Sequence, residues 1–121
     1  MNTAPPSVTQ LAPEWSEDLL PEIRHRVQSA NQTIVVLDDD PTGTQTVYDT
    51  PVLTEWSTSS VLAEFEAGLP LFYILTNSRS MTADEAASVN CEIAASLLAA
   101  REATGRDYTV ISRSDSTLRG H

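Results

Sequence analysis

The chain has 121 residues, of which 40% are hydrophobic and 20% charged, with 17 acidic and 7 basic side chains and a formal charge of −10. One core is expected, since domains cluster at roughly 100 to 150 residues, and the acidic balance disfavours nucleic acid or anionic membrane as a partner. No apolar stretch approaches the roughly 20 residues of a membrane helix and the N-terminus lacks the basic-then-apolar layout of a signal peptide, so a cytoplasmic protein is expected.

Residues 1–20, with Pro5, Pro6 and Pro13, read as a loosely held arm, and residues 21–121 as the folded part. A short amphipathic helix is predicted from Pro21, with Ile23 and Val27 spaced four apart. Thr33-Ile34-Val35-Val36-Leu37 is a continuous β-branched run of the kind found in strands buried on both faces of a parallel sheet. It leads into Asp38-Asp39-Asp40-Pro41-Thr42-Gly43-Thr44, an acidic turn at a strand end. Residues 50–54 suggest a short second strand, placed at an edge or a strand start by Pro51. Val61, Leu62 and Phe65 mark a modest helix closed by Gly68, and Leu71-Phe72-Tyr73-Ile74-Leu75 is a further strand running into Thr76-Asn77-Ser78-Arg79-Ser80.

Thr82 with Glu85 forms a capping-box pattern, so Thr82 should cap a long helix with Ala86, Val89, Ile93 and Leu97 on one face and Gly105 as its stop. The lone Cys91 falls within that helix; it excludes a disulfide framework and a Cys-rich metal site, and is expected in the core. Tyr108-Thr109-Val110-Ile111 is predicted to be a third buried strand, ending in polar residues 112–121. Trp15 and Trp56 are expected to anchor the arm and the second-strand region, and His25 to lie on a helix surface. His25 and His121 are too far apart in sequence, and too unlike in context, for a metal site.

Strands alternating with helices predict an α/β fold: a three-layer, mostly parallel Rossmann-like sheet with helices on both faces. Right-handed crossovers would then bring all the carboxyl ends to one edge, where ligands of open α/β sheets bind. Asp39, Asp40, Thr42, Asn77, Ser78, Arg79, Arg113, Asp115, Ser116, Thr117 and Arg119 would gather there. Guanidinium forks bind carboxylates, while carboxylates and amides accept hydroxyl protons, so a small polyhydroxylated anion fits this set and an apolar ligand does not. Crowding is expected to raise the carboxylate pKa values, which makes Asp39 or Asp40 a candidate to orient or deprotonate a hydroxyl.

The segments Asp39-Asp40-Pro41-Thr42-Gly43, Thr76-Asn77-Ser78-Arg79 and Asp115-Ser116-Thr117-Leu118-Arg119-Gly120 resemble, in order and spacing, the N-terminal domain of the four-carbon acid sugar kinase family. The resemblance runs from about residue 33 to the end. It implies ATP-dependent phosphorylation of a tetronate or 3-oxo-tetronate, with Asp39 and Asp40 catalytic. Thr42, Gly43, Asn77, Ser78, Arg79, Asp115, Ser116, Thr117 and Arg119 would bind the sugar acid, Arg79 and Arg119 taking its carboxylate. An ion pair with Asp115 is the competing role for Arg119, and a surface role is expected for Arg113. Pro41, Asn77, Arg113 and His121 depart from the commoner family pattern, which bears on the substrate more than on the fold.

The resemblance also implies a larger C-terminal domain holding ATP and Mg2+, and nothing similar to it is found here. The chain is therefore expected to be inactive alone, as a fragment, a truncated product or one half of a split enzyme, and to dimerise or aggregate through an uncovered sheet edge. Two other readings stay open. Asp38-x-Asp40-x-Thr42 also resembles the nucleophile motif of haloacid-dehalogenase-type phosphatases, with Asp38 as nucleophile, although the chain has no Lys for that family's third motif. A non-catalytic binding module is the other, because no glycine-rich phosphate loop is present.

Overall fold

The computed structural model describes residues 15–114. Three α-helices, α1 (Leu20–Ser29), α2 (Thr58–Ala67) and α3 (Ala83–Thr104), are interspersed among the described residues with four strands, β1 (Gln32–Asp38), β2 (Val52–Leu53), β3 (Leu71–Leu75) and β4 (Asp107–Arg113), with no α-helix between β1 and β2. The strands form one sheet in the order β2-β3-β1-β4, with every neighbouring pair parallel. The fold is thus α/β, as the alternation of elements predicts. β2 keeps only two of the expected residues and lies at the sheet edge, beside Pro51.

Local signals set the helix ends. The Ser57 side chain accepts from Ser60 N at the start of α2. Thr82 and Glu85 close a full capping box at α3, satisfying two of the amide groups that a helix start leaves unpaired. Gly105 stops α3 with φ 67°, a left-handed conformation that costs a glycine little.

The core lies between the sheet and the pair α2/α3. Val35 is in register with Phe72, so the two share a sheet face with Ile74, and Val61, Phe65, Ile93, Leu97 and Ala100 cover that face. Phe65 meets Phe72 and Tyr108 edge-on, at ring separations of 6.2 and 5.9 Å. One face carries both α2 and α3, instead of one helix on each face, because the crossovers β2 to β3 and β3 to β4 run the same way along the sheet. Right-handed connections of the same sense fall on the same side.

Several expectations change for reasons of packing. β4 is not a buried strand: it pairs only with β1 among the described residues, and Val110 and Ile111 are exposed. Cys91 is exposed because it points away from the Ala86–Ile93–Leu97 stripe, five residues from Ala86 and so about 140° round the helix. α1 buries none of its residues, and Ile23, Val27 and Trp15 are exposed, so Trp15 anchors nothing among the described residues. Trp56 does act as an anchor, packing against the core with its indole N–H donated to Glu92 Oε2 at 3.0 Å. No helix among the described residues is long and apolar enough to cross a membrane.

At the amino edge of the sheet Arg106 ties three segments together. Its Nε donates to Thr33 Oγ1 at 2.5 Å, Nη1 to Asn31 Oδ1 at 3.2 Å, and Nη2 to the carbonyls of Gln32 and Gly68, each at 3.2 Å. At the opposite edge, the chain leaving β1 runs past β3 to β2, while the chain leaving β3 runs past β1 to β4. Departures in opposite directions from neighbouring strands make a topological switch point, the crevice where open α/β sheets hold ligands.

Candidate functional site

The acidic turn and the loop after β3 are zipped together at this crevice. Asp38 O accepts Thr76 N at 2.9 Å and Thr76 Oγ1 at 3.0 Å, and Asp39 O accepts Arg79 N at 3.3 Å. On its other side Asp39 N donates to Arg113 O at 3.4 Å. Asn77, at φ 53°, makes the sharp left-handed step after β3 that leads into the short 3₁₀ turn Ser78–Ser80. Asn tolerates that conformation better than most residues.

Arg79 then reaches back over the turn. Its Nη2 lies 3.0 Å from Asp39 Oδ1, its Nε 3.4 Å from Asp39 Oδ2, and its Nη1 2.5 Å from Asp40 Oδ2. One planar guanidinium thus grips two adjacent carboxylates, with a bidentate hold on Asp39. Asp39 is buried and Asp40 remains partly accessible.

Asp38 faces the other way. Its side chain is 0% exposed, and Oδ2 lies 3.1 Å from Nη1 of Arg113, its register partner on β4, while Oδ1 accepts Asp40 N at 3.2 Å. Arg113 therefore has a partner at the site and is not merely a surface residue, although its side chain stays 47% exposed. Gly43 packs against this pair: a Cβ there would overlap Arg113 Nη1 and both Asp38 carboxylate oxygens. Nothing larger than glycine fits without displacing the ion pair.

Crowding does not raise the pKa of Asp40. Its carboxyl is held below the ordinary value, first by the Thr42 backbone N–H, then by the Thr42 hydroxyl, with Arg79 adding to the effect. Both Thr42 donors reach Asp40 Oδ1 at 2.8 Å. Hydrogen bonds to the charged form outweigh the desolvation that opposes them, so Asp40 stays ionised at neutral pH and accepts hydrogen bonds.

Three cavities meet at Asp39. The first, about 460 Å³, is lined by Asp39, Asp40, Pro41, Asn77 and Arg79 among others. The second, about 280 Å³, lies between Asp40, Thr42, Arg79, Arg113 and Ser114. The third, about 270 Å³, lies toward α3 and includes Thr76, Ser78, Asn90 and Ser112. Hence Asp39, Asp40, Thr42, Asn77, Ser78 and Arg79 do converge, with Gly43 beneath them as a packing position.

Residues 34–121 match the family model described as a sugar-binding N-terminal domain. The chain belongs to that family. Among curated proteins and among solved structures, nothing matches it. In this sugar-binding domain the predicted site residues Asp115, Ser116, Thr117 and Arg119 lie outside the described residues.

Sequence reasoning missed Thr76, Asn90 and Ser112 as parts of the sugar-binding domain's crevice. Ser112 is the last residue but one of β4 and Asn90 lies seven residues inside α3, so only the fold brings them together. The burial of Asp38, and its bonds to Arg113 and to the Asp40 amide, argue against a phosphatase nucleophile, which must reach its substrate. Among the described residues no three His, Cys, Asp or Glu side chains are placed to hold a metal ion. At the helix starts, Ser57 caps α2, and the first turn of α3 carries Asp84 and Glu85, which disfavour an anion there.

Proposed function

We propose that the sugar-binding domain holds a four-carbon sugar acid, a tetronate or 3-oxo-tetronate, for phosphorylation by an ATP-dependent kinase. The observation that carries this reading is the Arg79 fork on Asp39 and Asp40 at the β1/β3 switch point. It presents ionised acceptors beside a cation, as a ligand with both hydroxyls and a carboxylate requires.

Asp40, ionised and partly accessible, orients a substrate hydroxyl as its acceptor, and Asp39 holds the Arg79 guanidinium in place. Arg79 and Arg119 take the substrate carboxylate, while Asn77, Ser78 and Asp115 take hydroxyls. ATP and Mg2+ belong to the complete enzyme, in a C-terminal nucleotide-binding domain. The 121-residue chain alone transfers no phosphate.

Calorimetric titration of the chain with erythronates, threonates and 3-oxo-tetronates tests the reading. One of them should bind, and Asp40→Asn and Arg79→Ala should each weaken that binding at least tenfold. A folded chain that binds none of them would overturn the substrate assignment, and ATP turnover by the chain alone would overturn its dependence on a nucleotide domain.

A further inference from the structure

Resting on that reading, we infer that Asp39 divides the crevice into an acid-end subsite at Arg113 and a hydroxyl-end subsite at Asn90 and Ser112, so that a sugar acid binds in one orientation. The two cavities on either side of Asp39 are similar in size, about 280 and 270 Å³, and differ in chemistry. Both touch Asp39 and Ser114, so one short ligand can reach from one to the other.

The first cavity has two guanidiniums in its wall, Arg113 and Arg79, together with the carboxylates Asp39 and Asp40 that Arg79 holds. Arg113 is the better carboxylate anchor. Its ion pair with Asp38 uses one of the five N–H donors of a guanidinium, and the side chain is 47% exposed. Asp38, wholly buried, supplies the opposing charge from behind, and the tight approach of Gly43 keeps the pair from shifting. The guanidinium is therefore oriented before a ligand arrives, which reduces the entropy lost on binding.

No cation lines the second cavity among the described residues. Apart from the apolar Leu37 and Ala86 its wall is carboxylate, hydroxyl and amide. Thr76 is positioned by donating Oγ1 to Asp38 O at 3.0 Å, and Asn90 by donating Nδ2 to Ala86 O at 2.8 Å. A carboxylate entering here would meet the Asp39 carboxylate without a cation in the wall to receive it, since Arg79, which pairs with Asp39, lines the other cavity, whereas hydroxyl groups can donate to Asp39 and exchange bonds with Ser78, Asn90 and Ser112. Asn90 and Ser112 thus act as specificity-determining residues for the hydroxylated end.

The test titrates the chain with a tetronate, with a four-carbon tetritol that lacks the carboxylate, and with butyrate, which lacks the hydroxyls. Asn90→Leu and Ser112→Val should each weaken tetronate and tetritol binding about tenfold and leave butyrate binding unchanged. Arg113→Gln should weaken tetronate and butyrate but not tetritol, and Arg113→Lys should restore part of the loss by keeping the charge. In the unmodified chain, amide resonances of Asn90 and Ser112 should move with tetritol, and the Arg113 guanidinium resonance with butyrate, which guards against variants that fail to fold.

Tetronate binding that depends on Arg79 but is unaffected at Asn90, Ser112 and Arg113 would overturn the two subsites and leave the proposed function standing. Loss of every ligand in every variant, without the expected resonance shifts in the unmodified chain, would also overturn them. No tetronate binding by the unmodified chain would overturn both.

Discussion

Asp38 and Arg113 occupy the same register position on neighbouring strands and close an ion pair across it, with Arg113 Nη1 3.1 Å from a carboxylate that is fully buried. The pair joins β1 to β4 at the edge where the site forms. Because Asp38 also accepts Asp40 N, a change at β4 reaches the accessible carboxylate through a single residue.

Removing one partner leaves the other charge uncompensated, and Arg113→Ala is expected to lower stability by about 1 to 3 kcal/mol. The lower part of that range is favoured because Arg113 is half exposed. Urea denaturation of Asp38→Asn, Arg113→Ala and the double variant measures the coupling. If the two single losses simply add, the pair contributes nothing as a pair.

Gly43→Ala should be destabilising by about 1 to 3 kcal/mol, the usual cost of overpacking, since its Cβ would overlap Arg113 and Asp38. Ligand affinity should fall with it, as the Asp40 turn shifts. In the Arg113→Ala background the added loss should shrink, because the Arg113 part of the clash is gone; an unchanged increment in denaturant midpoint would refute the steric explanation.

Acidification has a definite sign. The folded-state pKa of Asp40 is lowered, first by the Thr42 backbone N–H, so its contribution to stability is complete above the unfolded value of about 4 and is lost as pH falls through the folded value. Glu55, held down first by the Ser60 hydroxyl, and Glu85, held down first by the Thr82 backbone N–H, act in the same direction. Stability should therefore fall below about pH 4.5. In an NMR titration Thr42→Val should move the Asp40 midpoint upward, since one of its two Thr42 donors is removed.

The two ends of the sheet should respond differently to loss of an arginine. Arg106→Ala removes a set of hydrogen bonds at the amino edge and should cost about 2 to 3 kcal/mol while leaving ligand affinity unchanged. Arg79→Lys should do the reverse, costing about 1 kcal/mol but weakening sugar-acid binding tenfold or more, because a point charge cannot grip Asp39 and Asp40 as a planar fork does. Thermal melts and calorimetry on the same two proteins separate these outcomes.

The local elements were legible in the sequence because their causes are local. The Thr82–Glu85 capping box, the stop at Gly105 and the run Leu71–Leu75 all stand where their residue types put them, since helix caps and β-branched or aromatic runs act over a few residues. The acidic turn was equally legible as a strand end. The exposure of β4 and Cys91 was not, because an apolar run or a helical Cys carries no mark of which neighbour will cover it.

Alone, the sequence determined that a parallel α/β sheet would place Asp39, Asp40, Asn77 and Arg79 at one edge, through apolar periodicity and the handedness of crossovers. Only the tertiary structure decided the strand order β2-β3-β1-β4, which sets β1 between β3 and β4. That order assigned Arg79 to Asp39 and Asp40, gave Arg113 to Asp38, and brought Asn90 and Ser112 to the same crevice. Such pairings join residues about 40 to 75 positions apart. They follow from which strands hydrogen-bond to which, a choice made by packing the whole core and carried by no short stretch of chain.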